Sequence, residues 1–258
     1  MKVSKLTIKE LKEKIEKKDQ VSEELIVKLE ADSRTGVHKI AQKLRRKEER
    51  KKEAKQKFKE MSQYEKKLHQ QNYRLIAGID EAGRGPLAGP VVAAAVILPT
   101  DKFILGLDDS KKLNEKKREE LFDIIYNQAI DIGVGVVDNQ RIDEINILNA
   151  TYEAMKKAIK DLETNPDYLL IDAEELSDVN IPQQGITRGD SKSISIAAAS
   201  IIAKVTRDRK LVEYDKEYPH YNFASNKGYG TAEHITALRE QGPSPIHRHS
   251  FKVVKKST

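Results

Sequence analysis

Two short apolar runs in this chain each end on an aspartate. Residues 74–80 read Arg-Leu-Ile-Ala-Gly-Ile-Asp, and residues 168–172 read Tyr-Leu-Leu-Ile-Asp. Their length and branched side chains predict buried β-strands. A carboxylate is costly to bury without a partner, so Asp80 and Asp172 must meet water or a cation. Because α/β folds build their sites outside the carboxyl ends of the strands, we expect both aspartates at one edge of a sheet.

Patterns typical of strands and helices alternate through residues 71–258. We predict further strands at 91–98 and 132–137, and helices at 115–129, 142–162, 193–218 and 232–240. Strands that alternate with helices predict an α/β domain whose sheet is largely buried between helices. Within it, the alanine run 197–199 is interpreted as helix packing and not as a site.

Residues 1–70 differ in composition from the rest of the chain. They contain no proline and a single glycine, Gly36. Cap residues and apolar spacing indicate a small helical module that precedes an α/β domain at 71–258. Three helices are predicted in the module: one from the capping box Thr7–Glu10 through Lys17, one from Ser22, and one from Asp32-Ser33 through Lys59.

The positive charge of the chain is concentrated in this module. Residues 1–70 contain 22 Lys+Arg and 13 Asp+Glu, whereas residues 71–258 contain 25 and 28. Such an asymmetry predicts that the module binds a polyanion, and we expect nucleic acid as the partner. A solvated helical surface with many internal ion pairs would have the same composition, so the charge alone leaves that alternative open.

The residue types that are absent exclude several kinds of site. The chain has no cysteine, which excludes disulfides, thiolate metal sites and cysteine nucleophiles. It has no run of about 18 apolar residues that would span a membrane, and its first residues lack the apolar stretch of a signal peptide. We therefore expect a monomeric cytoplasmic protein that does not associate with membranes. The sequence identifies no protein partner.

Four acids are candidates for a metal centre: Asp80, Glu81, Asp172 and Asp190. Neighbouring side chains on a strand point to opposite faces, so Asp80 and Glu81 share a site only if the strand bends. Gly83 and Gly85 allow that bend. Hard oxygen donors suit Mg²⁺ or Mn²⁺, and two such ions about 4 Å apart would hold a phosphodiester. Helix caps and salt bridges are the alternative role, and the pattern of acids alone does not decide between the two.

The glycine-rich turn at residues 77–90 carries the first of several family motifs. Ile79-Asp-Glu-Ala-Gly-Arg-Gly-Pro-Leu-Ala-Gly-Pro90 resembles the signature of ribonuclease HII, the type 2 ribonuclease H family. The sister type, ribonuclease HIII, usually lacks arginine in this turn, so Arg84 favours type HII. Further segments agree in order across residues 73–251: Asp109–Leu113, Leu170–Asp172, Gly189–Asp208, Asn226–Thr231 and Gly242–Arg248.

The resemblance implies a fold, an activity and a set of site residues. The fold would be ribonuclease H-like, with a central mixed β-sheet flanked by helices. The activity would be endonucleolytic hydrolysis of the RNA strand of RNA–DNA hybrids, including single ribonucleotides in duplex DNA, with two divalent ions and 5′-phosphate and 3′-hydroxyl products. The metal-site acids of the family match Asp80, Glu81, Asp172 and Asp190. Its substrate-binding positions match Gly83, Arg84 and Gly85 as the sensor of the ribose 2′-hydroxyl, Tyr229 as the ring that stacks on the sugar, and Ser110 and Lys111 as phosphate contacts.

Two functions from other classes are alternatives to the enzyme. One is a non-catalytic protein that binds RNA–DNA hybrids, and such a protein would be expected to lack one of the four acids. The other is an RNA-binding or ribosome-binding factor that acts through the basic module and uses the α/β domain as a scaffold. Metal-dependent cleavage separates the enzyme from both.

The spacing of His247 and His249 also allows a pair of metal ligands. Hard-metal chemistry on carboxylates does not need imidazole, however. We therefore predict that these two histidines have a structural role.

Overall fold

The computed structural model describes residues 3–16, 21–100 and 102–256. The chain divides into two compact units, Met1–Lys57 and Phe58–Thr258. Within the described ranges, no helix combines the length and the apolar character needed to cross a membrane. The helices are α1 (Ile8–Glu16), α2 (Glu23–Glu30), α3 (Thr35–Met61), α4 (Gln63–Gln70), α5 (Glu115–Gln128), α6 (Asn139–Asp161), α7 (Ile194–Glu217), α8 (Phe223–Asn226), α9 (Ala232–Gln241) and α10 (Lys252–Lys255), and the strands are β1 (Ile76–Ala82), β2 (Val91–Ile97), β3 (Asp131–Val137), β4 (Tyr168–Asp172) and β5 (Gln183–Ile186).

The first unit contains α1, α2 and α3 as far as Lys57. The predicted capping box is confirmed, because Thr7 N donates to Glu10 Oε2 at 2.8 Å and Glu10 N donates to Thr7 Oγ1 at 3.3 Å. The predicted end of this helix at Lys17 lies outside the described residues. A small apolar core joins the three helices and includes Leu11, Leu25, Ile26, Leu29, Val37 and Ala41.

The third helix begins later than predicted. It starts at Thr35 and not directly after Asp32-Ser33. The Asp32 carboxylate accepts a hydrogen bond from Arg34 N at 3.0 Å and pairs with the Arg34 guanidinium at 2.8 Å. Aspartate commonly stabilises such a turn through its own side chain, and here this local bond competes with the helix cap.

A five-stranded mixed sheet forms the centre of the second unit, as the alternation of strands and helices predicts. The strand order is β3-β2-β1-β4-β5. β1 and β3 each pair antiparallel with β2, whereas β4 lies parallel to both β1 and β5. β5 was not predicted, because its four residues, Gln183–Ile186, are mostly polar and only Ile186 is buried.

Helices cover both faces of this sheet. Alternate residues of β2 separate two apolar cores: Ala94 and Val96 pack with α5 and α7, whereas Ala93 and Ala95 pack with α6. α7 approaches β1 so closely that a Cβ atom at Gly78 would lie 2.0 Å from the main-chain carbonyl carbon of Ser195. Only glycine allows this contact, which fixes the start of α7 over the strand that carries Asp80.

Residues 58–70 also pack within the second unit. Met61 belongs to the core formed with α5 and α7. Leu68 on α4 packs against Ile76 on β1 and Leu170 on β4. The end of α3 and the whole of α4 therefore contribute to the core around the sheet.

Glu65 on α4 is buried at the start of α7, with 5 % of its surface exposed. Its Oε1 atom accepts hydrogen bonds from Ser193 Oγ at 2.5 Å and from Ser195 N at 3.1 Å. The Oε2 atom has no hydrogen-bond partner among the described residues. Glu65 thus satisfies an otherwise unpaired amide in the first turn of α7, while burial raises the pKa of its carboxyl group.

We predict that Glu65 makes the stability of the protein fall as pH rises. Its folded-state pKa is raised by burial, so its contribution to stability is full below the unfolded value of about 4.5 and is lost as pH rises through the folded value. Glu65→Gln keeps an oxygen acceptor without the charge, and should therefore gain stability relative to the wild type between pH 5 and pH 8. Glu65→Ala should lose about 1–3 kcal/mol at pH 5, since the amide of Ser195 loses its acceptor.

Urea unfolding at both pH values measures these differences. Glu240→Gln, a substitution of an exposed glutamate on α9, is the matched control and should track the wild type. A constant difference between Glu65→Gln and the wild type at both pH values would contradict the prediction.

Candidate active site

The central strand β1 carries Asp80 and Glu81. It continues two residues beyond its predicted end at Asp80, and pairs with β2 through Asp80↔Ala94 and Glu81↔Ala93. Asp80 is buried, with 4 % of its surface exposed, and its Oδ1 atom accepts a hydrogen bond from Glu81 N at 2.7 Å. The predicted bend comes at Gly83, whose φ of +98° lies in the left-handed region.

Asp172 and Asp190 reach the same place from two other segments. Asp172 ends β4, the parallel neighbour of β1. Its Oδ1 atom accepts a hydrogen bond from Gly189 N at 2.7 Å. That bond ties the end of β4 to the single 3₁₀ turn Gly189–Ser191, in which Asp190 is buried before α7 begins. Three segments that are distant in sequence thus deliver four acids to one edge of the sheet.

These acids interact strongly as like charges. Burial raises the pKa of Asp80 well above its usual value, and repulsion from Glu81 and Asp172 raises it further. Burial likewise raises the pKa of Asp190, with added repulsion from Asp109 and Asp172. Carboxylates behave in this way where they share a poorly hydrated site and nearby cations offset their charge only in part.

Lys111 provides positive charge beside the cluster. Burial alone would lower the pKa of this lysine, but nearby carboxylates outweigh it and the pKa is raised; these are the carboxylates of Asp80, Asp190, Asp109 and Glu81. The structure thus brings Lys111 to three of the four acids, Asp80, Glu81 and Asp190. It also adds Asp109, which lies within a family motif but has no role predicted from sequence.

Ser110 is buried. Its hydroxyl is 2.9 Å from the Ser200 hydroxyl on α7, and the Ser200 side chain favours the charged form of Asp80 and so partly offsets the rise in its pKa. Ser110 thus lies next to a residue that interacts with the Asp80 carboxylate. Contact between Ser110 and a phosphate of the substrate stays a prediction, and Ser200 is a supporting residue that the sequence pattern did not reveal.

The glycine turn after β1 faces Tyr229. A Cβ atom at Gly85 would lie 3.8 Å from Cε1 of the Tyr229 ring, which is 43 % exposed. Arg84 is half-exposed, and its Nη1 atom is 3.5 Å from Glu81 Oε1. The residues predicted to bind substrate, Gly83, Arg84, Gly85 and Tyr229, therefore lie together beside the acid cluster.

Two buried arginines hold the glycine turn in place. Arg207 on α7 donates to the main-chain carbonyls of Pro90, Ala88 and Lys227 at 2.9–3.0 Å. Arg248 donates to the carbonyls of Gly83, Arg84, Gly89 and Pro90 at 2.6–3.2 Å. Both residues belong to segments that carry the family resemblance, yet local sequence gives no sign that their partners are carbonyl groups of a turn more than 100 residues away.

The acid cluster fits a hard divalent cation chemically. Its donors are carboxylate oxygens, which Mg²⁺ and Mn²⁺ prefer, and its mutual repulsion is of the kind that a cation relieves. In the part of the chain that the structure describes, no three acid or imidazole side chains are already arranged to hold a metal ion. The arrangement therefore supplies suitable donors, whereas the final coordination geometry would require side-chain movement.

Two family models match this chain. The first, described as Ribonuclease HII, matches residues 77–254, and the second, described as Ribonuclease HII N-terminal domain, matches residues 7–69. The chain belongs to the ribonuclease HII family. It is therefore a ribonuclease H, an endonuclease of a divalent-metal-dependent family that cleaves the RNA of RNA–DNA hybrids. Family membership leaves the two non-catalytic alternatives without support.

Individual relatives agree with this assignment. A ribonuclease HII of Acetivibrio thermocellus is 56% identical over 247 residues, which cover 95% of this chain and 96% of that protein. Ribonuclease H2 from Pyrococcus horikoshii OT3 superposes with a TM-score of 0.59 at 28% identity, and the match covers 70% of this chain and 96% of that one. Bst-RNase HIII, solved in complex with Mn²⁺, shares the fold, with a TM-score of 0.55 at 20% identity over 73% of this chain and 70% of that one. The predicted ribonuclease H-like fold is thereby confirmed.

We predict that Arg248 is needed for the shape of the glycine turn. Lysine in its place keeps a positive charge but loses the planar fork that reaches several carbonyls at once. Arg248→Lys should lose about 2–3 kcal/mol of unfolding free energy. It should also lower kcat/KM about 10- to 100-fold through misplacement of the turn.

Urea unfolding and steady-state cleavage test this prediction. Arg239→Lys is the matched control, because Arg239 is an exposed arginine on α9. It should stay within about 0.5 kcal/mol of the wild type. Full activity and stability of Arg248→Lys would contradict the role given to the guanidinium group.

Proposed function

We propose that this enzyme hydrolyses RNA–DNA hybrids and also cuts at single ribonucleotides embedded in duplex DNA, leaving 5′-phosphate and 3′-hydroxyl ends. The observation that carries the proposal is the position of four carboxylates beside a glycine turn and an exposed tyrosine. The acids are suited to bind divalent cations, which would in turn hold a phosphodiester group. The turn and the ring are suited to recognise the sugar to which that phosphodiester is attached.

The acids have separate structural tasks in this proposal. Asp80 lies centrally on β1 and would contact two divalent ions, Mg²⁺ or Mn²⁺, while Glu81, Asp172 and Asp190 complete their ligand sets. Bound ions of this kind supply activation of the attacking water and stabilisation of the leaving 3′-oxygen. The chain contributes the fixed positions of the carboxylates, since Asp172 is held by the Gly189 amide and Asp80 by the Glu81 amide.

The residues around the acids would select and orient the substrate. The Lys111 ammonium group interacts electrostatically with the carboxylates and would bind a phosphate group next to them. Arg84 is half-exposed, and its Nη1 atom makes only a long contact of 3.5 Å with Glu81 Oε1. Its guanidinium group is therefore able to turn toward a phosphate group. The backbone of Gly83 and Gly85 would contact the 2′-hydroxyl, and the ring of Tyr229 would stack on the sugar beyond the cut.

A cleavage assay on two substrates tests the proposal directly. A labelled DNA duplex with one ribonucleotide and a uniform RNA–DNA hybrid are incubated with Mg²⁺ or Mn²⁺, with and without EDTA. We expect cuts at the single ribonucleotide and along the hybrid, 5′-phosphate and 3′-hydroxyl ends, and no products in EDTA. Cleavage of the hybrid alone would refute the junction activity and leave the family activity intact.

We predict that Asp80→Asn abolishes cleavage with either metal ion. Loss of groups that only support metal ligands already costs about 10- to 100-fold, so loss of a central ligand should exceed about 100-fold. The variant should bind hybrid normally. Without added metal ion it should be at least as stable as the wild type, because a buried charge that repels its neighbours has been removed.

Asp123→Asn is the matched control for this change. Asp123 is an exposed aspartate on α5, and its amide variant should retain wild-type turnover. Cleavage rates, hybrid binding and thermal unfolding in EDTA are measured for both variants. Turnover of Asp80→Asn close to that of the wild type would exclude the central role of Asp80.

We also propose that residues 1–70 act as a substrate-binding module. The first unit, Met1–Lys57, contains 19 Lys+Arg and 11 Asp+Glu, whereas the second contains 28 and 30. A groove in this unit lies between α1 and α3, and half of the side chains that line it are basic. A row of cations along a groove suits the phosphate backbone of a duplex whatever its sequence. The basic residues that line it are Lys12, Lys39, Lys43, Arg46, Lys47, Arg50 and Lys51.

We predict that neutralising four cations of this groove weakens substrate binding without slowing the chemistry. The variant changes Lys43, Arg46, Lys47 and Arg50 to glutamine in the full chain, which leaves the core packing of residues 58–70 intact. KM should rise, and kcat at saturation should stay near the wild-type value. The slope of log affinity against log salt should become shallower by about 0.9 for each phosphate group that the groove no longer binds.

A second fourfold variant controls for net charge. It changes exposed lysines of the same unit outside the groove to glutamine, namely Lys5, Lys9, Lys14 and Lys28. Its salt dependence should stay close to that of the wild type if the groove is the contact surface. An unchanged KM of the groove variant at moderate salt, or equal effects of both variants, would contradict the proposal.

A further inference from the structure

Two buried histidines form a direct contact below the loop that carries Tyr229. His234 lies on α9, and His247 lies in the segment that follows it. Neither side chain is accessible to solvent. Their Nε2 atoms are 3.0 Å apart, a hydrogen-bond distance. His247 belongs to the segment Gly242–Arg248, which carries part of the family resemblance but contains no predicted catalytic or substrate-binding residue.

The partners of the outer nitrogen atoms fix the direction of this contact. His247 Nδ1 is 2.9 Å from Ser244 N, which can only donate, so Nδ1 accepts and the proton lies on Nε2. His234 Nε2 must therefore accept from His247. Its own proton then lies on Nδ1, which donates to the main-chain carbonyl of Tyr229 at 2.8 Å. The bonds run in one direction, from Ser244 through both imidazoles to Tyr229.

Neighbouring aromatic rings and burial exclude water from both imidazole rings and keep them uncharged. The Tyr221 ring lies 4.9 Å from His247, and the Phe223 ring lies 5.4 Å from His234, measured between ring centroids. Burial lowers the pKa of His247 to about 4 and also lowers the pKa of His234. At neutral pH each imidazole is therefore one donor and one acceptor, as the direction of the bonds requires.

This series of hydrogen bonds from Ser244 to Tyr229, the histidine relay, ends at the main-chain carbonyl of Tyr229, the residue whose ring lies beside the glycine turn. This ring faces Gly85, and Lys204 Nζ lies 5.8 Å from its centroid. The start of the relay is also tied to the glycine turn, since His247 pairs with Ala88 in an isolated β-bridge. The two histidines therefore connect both sides of the gap between the turn and the ring.

We propose that His234 and His247 are positioning residues that set the selectivity of this enzyme for a ribonucleotide followed by DNA. The relay holds the Tyr229 carbonyl, and this fixes the distance between its ring and Gly85, where the sugar would enter. The inference rests on the proposed role of Tyr229 in the junction activity. The two imidazoles contact neither the substrate nor the reacting atoms, and act only through the Tyr229 peptide.

Two substitutions of His234 separate its two hydrogen bonds. The side-chain nitrogen of asparagine corresponds to Nδ1 of histidine, so His234→Asn keeps the donor to the Tyr229 carbonyl. The end of glutamine corresponds to Nε2, so His234→Gln keeps the contact with His247 and loses the donor to Tyr229. His220→Gln is the control, because His220 is exposed in the same part of the chain.

The measured quantity is the ratio of kcat/KM on the duplex with one ribonucleotide to kcat/KM on the uniform hybrid. We expect this ratio to fall about tenfold in His234→Gln, as it would on partial loss of a stacking interaction. His234→Asn should restore the ratio to within about threefold of the wild type, and His220→Gln should leave it unchanged. Equal losses on both substrates in His234→Gln would mean a purely structural role and would overturn the proposal.

Tyr229→Ala separates failure of this inference from failure of the proposed function. If Tyr229→Ala loses selectivity while His234→Gln keeps it, the relay is wrong and the role of the tyrosine stands. If Tyr229→Ala keeps full selectivity, the role of the tyrosine and the effect of the relay on selectivity are both wrong. Absence of any cut at a single ribonucleotide by the wild type would instead refute the junction activity itself.

An observation on the wild-type protein tests the relay even if a variant fails to fold. Nitrogen-15 NMR of the imidazole rings distinguishes a proton on Nδ1 from one on Nε2. We expect one slowly exchanging ring with the proton on Nδ1, His234, and one with the proton on Nε2, His247. Two buried rings with the same tautomer, or a charged imidazole at neutral pH, would overturn the proposal.

Discussion

The mutual repulsion of four carboxylates at the edge of the sheet is the constraint on which the rest of this structure depends. Without other contacts, the four carboxylates would move apart and become hydrated. The fold opposes that movement with neutral contacts. α7 is pressed onto β1 at Gly78, the Gly189 amide holds Asp172, and the Glu81 amide holds Asp80. The site is thus held together by backbone packing, and a divalent cation would add attraction to a geometry that is already built.

The turn beside these acids is held by a different interaction. Burial lowers the pKa of Arg207 to about 10 and that of Arg248 to about 9, so both guanidinium groups still carry their charge at neutral pH. A charge in a dry interior is expensive unless its donors are satisfied. Here main-chain carbonyls satisfy them, and each carbonyl that accepts such a bond loses its freedom to rotate. The cost of burying the charge is therefore offset by a turn with a single conformation.

Local sequence predicted the parts of this arrangement that depend on local patterns. Apolar runs predicted β1 and β4, the capping box Thr7–Glu10 predicted the start of α1, and motifs identified the acids that the fold brings together. β5 was not predicted, because Gln183–Ile186 has no apolar pattern. The hydrogen-bond partners of Arg248 were not predicted for another reason. Gly83 is 165 residues away from it, and a hydrogen bond to a backbone carbonyl places no demand on the side chain of its partner. Such a contact leaves no trace in the spacing of residue types.

The distribution of charge between the two units has a consequence for selectivity. The second unit contains slightly more acidic than basic residues, although its substrate is a polyanion. A strongly basic active site would hold any duplex through its phosphates, and sites with and without a ribonucleotide would be occupied alike. Where general attraction at the site is weak, affinity has to come from specific contacts, and under the proposed function the glycine turn and the Tyr229 ring would supply them by contacting the sugar. Selectivity is a difference between affinities. Under the proposed function, weak general attraction in the second unit disfavours every duplex alike, and the contacts to ribose would compensate for it only where a ribonucleotide is present.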